Sequence, residues 1–478
     1  EGVEQNNVEA VRWCAKAAKQ GIAHAQFYLG LMYYQGQGVE QSDIDAFKWY
    51  TKAAEQGNAA AQSNLGCMYD QGRGMDKSDV EAVKWYTKAA EQGHAIAQAD
   101  LALAYHKGQG IEQNDVEAVR WFTKAAKQEN AHAQFNLGLM YYQGQGVEQS
   151  DVDAVKWYTK AAEQGNAAAQ SKLGWMCDQG RGTDQSDVEA VKWYTKAAEQ
   201  GNAAAQFNLG SIYEQGHGIE QSDVEAVNWY TKAAEQGHAV AEHSLGLMYH
   251  QGQGVEQSDV DAVKWFTKAA EQGHVAAQSN IGVMYKFGRG VEQSDVKAVK
   301  WFTKAAEEGD AVAEHNLGCM YGEGRGVERS DVEAAMWFTK AAEQGYVAAQ
   351  SNIGVMYKLG QGVEQSDVEA VKWFTKAAEQ GHAVAEHNLG RMYEQGRGVE
   401  QSDVEAAKWF TKAAEQGHVA AQSILGWIYE QGRGVEQNDV EAVKWFTKAA
   451  KQGVADIQFN LGWMYFHGRG VEQSDLEA

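Results

Sequence analysis

Proline does not occur anywhere in the 478 residues, so punctuation of the chain falls to glycine, whose 52 copies are periodic and mark turns instead of disorder. Long apolar runs are missing as well. No stretch approaches the roughly 18–20 residues of a membrane span, so membrane insertion of this sequence is not expected. Positive charge is scarce: 42 Lys plus Arg face 65 Asp plus Glu, a net charge of −23. Such a field repels nucleic acid, whose phosphates need basic groups, and it accommodates a basic or neutral partner more easily; it also keeps a long chain soluble. Cysteine is sparse. Cys14, Cys67, Cys177 and Cys319 stand at scattered positions with no disulfide-compatible pairing and no metal-ligand spacing, and read as small hydrophobes. Catalytic signatures are lacking too: there is no G-x-S-x-G, no H-E-x-x-H and no nucleophile beside a base, so a non-enzymatic protein without cofactor or metal is expected.

What is present is a period. Gly38, Gly74, Gly110 and Gly146 begin a series that reaches Gly470 at intervals of 36 residues, without one insertion. Each unit holds two helical patterns. In the first, helix A, Ala25, Leu29, Met32 and Tyr33 form one apolar stripe. Gly57 suits a C′ position before the next helix A, and Asn58 suits its N-cap. A Q-G-x-G link reverses the chain. The second pattern, helix B, opens with an expected capping box, Ser78 with Glu81, Ser186 with Glu189 and Ser366 with Glu369, which Lys297 breaks after Ser294. Its apolar face is Ala46, Trp49, Tyr50, Ala53 and Ala54, and the Trp site, Trp13 to Trp445, is expected to lock one repeat to the next. The acidic residues of the VEQSD segment are assigned to the cap. Short links make A and B an αα-hairpin, and stacked hairpins make a superhelix. The expectation is an all-α solenoid of about thirteen 36-residue repeats, one continuous array with a lone helix B in about 1–20, hairpins over 21–470 and the start of another helix B in 471–478.

The unit resembles the Sel-one-like repeat family, relatives of the tetratricopeptide repeat. The residues that carry the resemblance are Ala61, Leu65, Gly66, Met68, Tyr69, Gly72, Gly74, Asp79, Ala82, Trp85, Lys88, Ala89, Ala90 and Gly93, and their counterparts cover essentially the whole chain. The resemblance implies a right-handed superhelix with the A helices on its concave side, and an adaptor or scaffold that assembles other proteins. Many members are bacterial and secreted or periplasmic, and others serve eukaryotic membrane-linked complexes, so the compartment stays open. Local departures are Ala102 for the helix A glycine, Glu129 for the inter-repeat glycine and Cys177 for tyrosine, each expected to loosen one repeat. The paired cysteines of some secreted members are missing.

Comparing the chain with itself locates the candidate site. Helix A varies at the sites of His24, Phe27, Leu31 and Tyr34, which fall within a sector of roughly 80° on a helical wheel. Helix B is nearly uniform, even at Lys52, which is Lys in all thirteen copies and reads as exposed. Drift would have touched both helices, so the varied face reads as a binding groove for a peptide or folded partner. Its aromatic anchors are Phe27, Tyr34, Phe135, Tyr142, Trp175, Phe207, Trp427, Phe459, Trp463 and Phe466, joined by Leu31, Arg391 and Asn388. A series of asparagines, Asn64 to Asn460, could hold a peptide backbone or brace the hairpin. His243, His315 and His387, each after a Glu, are expected to line the groove as polar groups, with a pH-sensitive charge as the alternative. Two other readings stay open: a glycan or peptidoglycan-associated binder that stacks sugars on tryptophans, and a structural spacer or self-assembling rod joined end to end.

Overall fold

The computed structural model describes residues 6–471, so the expected helix start in 472–478 and the first five residues lie outside the described residues. Among the described residues there are twenty-six α-helices and no strand. Helix A, for example Ala59–Gln71, alternates with helix B, for example Asp79–Glu91, and packing runs between successive helices. The all-α solenoid expected from the period is therefore what forms. The chain divides into two compact units, Glu1–Ala241 and Glu242–Ala478, each a stack of hairpins.

Helices of 13 residues are too short to persist alone in water, so caps and packing must hold them. Helix A starts on a side-chain cap: Asn58 Oδ1 accepts from the Ala61 N–H at 2.9 Å. Histidine does the same work elsewhere, a role the sequence did not suggest. His94, His274, His382 and His418 each accept the equivalent N–H on Nδ1 at 3.2–3.3 Å. Helix A ends at Gly72, in the left-handed region with φ 67°. Two residues on, a Cβ at Gly74 would lie 2.5 Å from the Asp43 carbonyl oxygen, so the loop rests on the backbone of the preceding helix B and only glycine fits.

The capping box forms by half. Ser78 Oγ accepts from the Glu81 N–H at 3.3 Å, but the Ser78 N–H donates to the Tyr69 carbonyl at 2.9 Å. Nothing is left for Glu81 to satisfy, and it pairs with Lys84 at 2.8 Å. Ser294 accordingly caps Lys297 without a glutamate.

Two devices join repeats within each unit. The first is a buried polar relay. Gln62, buried, donates to the Ala54 carbonyl at 3.0 Å and accepts from Gln92 Nε2 at 2.6 Å, so one amide satisfies the end of the helix before it and holds the end of the helix after it. The second is tryptophan: Trp85 packs on a cluster that joins Tyr50 of the preceding repeat to Ala61 and Leu65 of its own, as expected of a lock between repeats. Over every one of these tryptophans sits the lysine three residues on, from Lys16 over Trp13 at 4.2 Å to Lys448 over Trp445 at 4.1 Å. Lys52, 4.8 Å from the Trp49 ring, is therefore a packing residue. Its constancy has a structural cause and no longer shows that exposed helix B sites escaped drift.

Of the departures, Glu129 keeps the turn in its glycine-like form, at φ 61°, the one non-glycine residue with positive φ among the described residues. Ala102 is fully buried against the cluster of Phe122, and Cys177 is buried in the place of a tyrosine. All four cysteines are free thiols.

Candidate interaction surface

The varied face of helix A resolves into rows with different surroundings. At the site of Leu31 no counterpart is fully buried: Leu31, Trp175, Arg391 and most others are partly exposed, and Trp427 at 38% and Trp463 at 44% are the most open. In the row of Tyr34, Tyr34 and Tyr142 are partly exposed and Phe466 is exposed. These two rows make the accessible strip.

The phenylalanines of the Phe27 row are partly exposed, like Leu31, but they also pack on neighbouring rings. Phe27, Phe135 and Phe207 lean on Tyr50, Tyr158 and Tyr230 of the following helix B, with centroids 5.9, 5.8 and 5.6 Å apart. A helix in such a stack has its own helix B on one side and the next repeat on another, so the open strip is narrower than the wheel suggests. Phe459 is the contrast at 74% exposed, and the segment after its helix lies outside the described residues.

His243, His315 and His387 occupy this same row. Each ring packs on the N-cap residue of the next helix A: His243 and His387 stack on His274 and His418 at 4.6 and 4.7 Å, and His315 meets Tyr346 tilted at 5.0 Å. Each also faces a helix B phenylalanine, Phe266, Phe338 or Phe410. Burial, reinforced by His274, Lys286 and His418 respectively, pushes all three pKa values down to about 4. They are neutral seam residues at pH 7, not solvated groove lining. The glutamates beside them are buried: Glu314 and Glu386 stand where Gln stands elsewhere in the relay and accept from Gln344 and Gln416 at 2.7 Å. Burial raises the pKa of both.

The asparagines divide. Asn136 and Asn316 donate to carbonyls in their own helices at 2.9 Å, while Asn280 and Asn352 meet His243 and His315 at 3.0 and 3.2 Å. These four brace the fold. The Asn388 amide has no such bond, and it lies half-exposed beside Arg391.

Several candidate side chains are held by an arrangement that sequence reasoning missed. Arg73, in the G-x-G loop, reaches back 30 residues to Asp43 with Nε at 3.1 Å and Nη2 at 2.7 Å. Its guanidinium also covers the Tyr34 ring at 4.2 Å. Arg181 repeats this with Asp151 and Tyr142, and leaves Trp175 edge-on to Tyr142 at 5.9 Å. In the second unit Arg433 ties Asp403 to Glu394, which also binds Arg391 at 2.9 Å. The first Asp of helix B is thus an inter-repeat ion-pair partner, not merely part of a cap. The available signal was that arginine recurs at the middle of the G-x-G link, opposite an Asp that opens every helix B after the first.

The strip that remains open offers indole edges, amides and carboxylates on rigid helices, without a converging acid, base and nucleophile. Among the described residues no helix is long and apolar enough to cross a membrane. The Sel1 repeat family model matches the whole chain in fourteen successive segments, from residues 1–22 and 23–58 to 455–478. The chain belongs to the Sel1 repeat family. Among solved structures it is similar to c5321, a protective antigen of uropathogenic Escherichia coli strains that displays an SLR fold; identity is 38% over 87% of this chain and 89% of that one, with a TM-score of 0.81. A Sel1 repeat protein from Oxalobacter formigenes is 34% identical over 68% of this chain and 93% of its own, with a TM-score of 0.53. No curated protein matches. Repeat proteins of this kind generally mediate protein–protein interactions and are generally non-catalytic.

Proposed function

We propose that this chain is a protein-binding scaffold that takes a peptide or a folded partner on the open strip of its A helices. The observation that carries the reading is the row of Leu31. It is fully buried in no repeat yet ranges over Leu, Cys, Trp, Ser, Val and Arg, while the packing positions around it stay apolar, mostly Leu and Met. A rigid frame with one accessible, diversified row is the economical way to build specificity on a repeat. Trp175 and Trp427 are its largest anchors, and partly exposed indoles are frequent hot spots.

The test is capture from host lysate by the full chain and by Trp175→Ala, Trp427→Ala and Asn388→Ala variants, with circular dichroism confirming the fold of each. A specific partner bound by the parent and lost with the Trp427 or Asn388 variant supports the strip. Equal capture by parent and all variants places binding elsewhere and sinks the reading.

A further inference from the structure

The loop arginines define a recurring socket. In five repeats, at Arg73, Arg181, Arg325, Arg397 and Arg469, the guanidinium grips the first Asp of the preceding helix B with both Nε and Nη2, at 2.7–3.3 Å. In three of them, Arg73, Arg181 and Arg469, Nη1 then turns to the residue 39 positions earlier, Tyr34, Tyr142 or Glu430. Planar, bidentate geometry of this kind suits arginine and not lysine.

At three of the loops that carry no arginine, the structure opens. Cavities of about 40, 530 and 290 Å³ lie at Gln109, His217 and Gln361, each lined by the Asp that an arginine would have gripped. Two of these are neutralised locally: Lys77 lies 3.3 Å from Asp79, and Arg329 lies 3.4 Å from Asp331. The third is different. Asp187 has no cation among the described ion pairs, and His217, in the arginine's place, makes no side-chain bond to it. Asp178 stands 39 residues before His217, in the position that receives Nη1 elsewhere, and lines the same cavity with Trp175 and Asn208. Both acceptors of the socket are present without a guanidinium, in the largest of the three cavities.

We infer that this cavity receives the guanidinium of an arginine side chain supplied by a polypeptide partner. Six other repeats display the ligand that this Asp row binds, since Arg433 grips Asp403 as well. The carboxylates of Asp187 and Asp178 supply the charge that such a ligand needs. The inference rests on the scaffold reading above, because Trp175, Asn208 and Ser211 of the cavity belong to the A helices.

The probe is the peptide acetyl-Gly-Gly-Arg-Gly-Gly-amide, titrated into the full chain by calorimetry, with citrulline and lysine peptides and free L-arginine as comparisons. The expected result is weak binding in which citrulline loses at least about tenfold and lysine binds less well than arginine. His217→Arg fills the socket from inside and Asp187→Asn removes its charge; each should weaken the arginine peptide at least about tenfold while circular dichroism stays unchanged. Equal affinity for arginine and citrulline peptides, or full binding to His217→Arg, overturns the inference. Free L-arginine binding about tenfold more tightly than the peptide would make the occupant a small molecule, and the polypeptide claim would fall. Capture of a partner that still depends on Trp427 and Asn388 would then leave the scaffold reading standing, so the two failures are distinguishable.

Discussion

Acid should loosen the second unit through its histidine seams. His243, His315 and His387 have pKa values near 4 in the folded chain, against an ordinary 6.5. A depressed histidine pKa means that the unfolded chain binds more protons, so the stabilisation is complete above about pH 6.5 and is lost as pH falls toward 4. Between pH 7 and pH 5 a shift of this size removes at most about 2 kcal/mol per histidine. The stacked N-cap rings His274 and His418 act in the same direction: burial lowers their pKa, and protonation would abolish the Nδ1 acceptor that caps the helix. Glu314 and Glu386 oppose the loss, since their raised pKa values favour the folded chain once they protonate, and part of the effect is recovered. Hydrogen exchange at pH 7 and pH 5, read over residues 383–430, measures the balance. His387→Phe with His418→Asn installs the residues that the first unit uses at the same positions, Phe207 and Asn202, without changing the packing plan. The parent should lose protection on acidification, and the double variant should lose clearly less. An identical loss in both would refute the assignment of the pH response to this seam.

Glu129 pays a left-handed φ without being glycine, so Glu129→Gly should raise stability by about 1 kcal/mol in chemical denaturation. Gln134 is 2% exposed, donating to the Ala126 carbonyl at 3.1 Å and accepting from Gln164 at 2.7 Å; Gln134→Leu should cost roughly 2–4 kcal/mol by orphaning both partners, with the loss of exchange protection centred on those helix ends. Lys124 lies 3.7 Å over Trp121, and Lys124→Gln should cost about 0.5–1 kcal/mol, whereas Lys107→Gln, at an exposed site with no such ring, should cost almost nothing. Asp295→Asn breaks the 2.8 Å contact with Arg325 and should lower stability by about 1 kcal/mol, an effect weakened in high salt.

The hairpin plan was legible because its signals are local. Glycine spacing set the turns, Ser78 and Asn58 marked helix starts, and the apolar stripes assigned Leu29 and Ala46 to the core. The site was legible in part. Variation at Leu31, Trp175 and Trp427 pointed to an accessible row, whose residues are partly exposed in the structure. Variation at Phe27 and His243 pointed the same way and led to a half-buried seam, because substitution frequency does not distinguish a solvent face from an interface that tolerates Phe, His or Ser. Lys52 misled in the opposite sense, since a cation that looks solvated in a helical wheel is fixed by the indole one turn away.

Sequence by itself determined the number of repeats, the identity and polarity of the helices and their Ser and Asn caps, for these depend on contacts within one turn or one short link. Tertiary structure alone decided which side of helix A stays open, that the first Asp of helix B is gripped from the following loop in some repeats and left without a cation at Asp187, and that the histidines are neutral. Each of those outcomes rests on groups 30 to 39 residues apart meeting across a repeat boundary, where burial and charge are set by the neighbour and not by the segment that carries the residue.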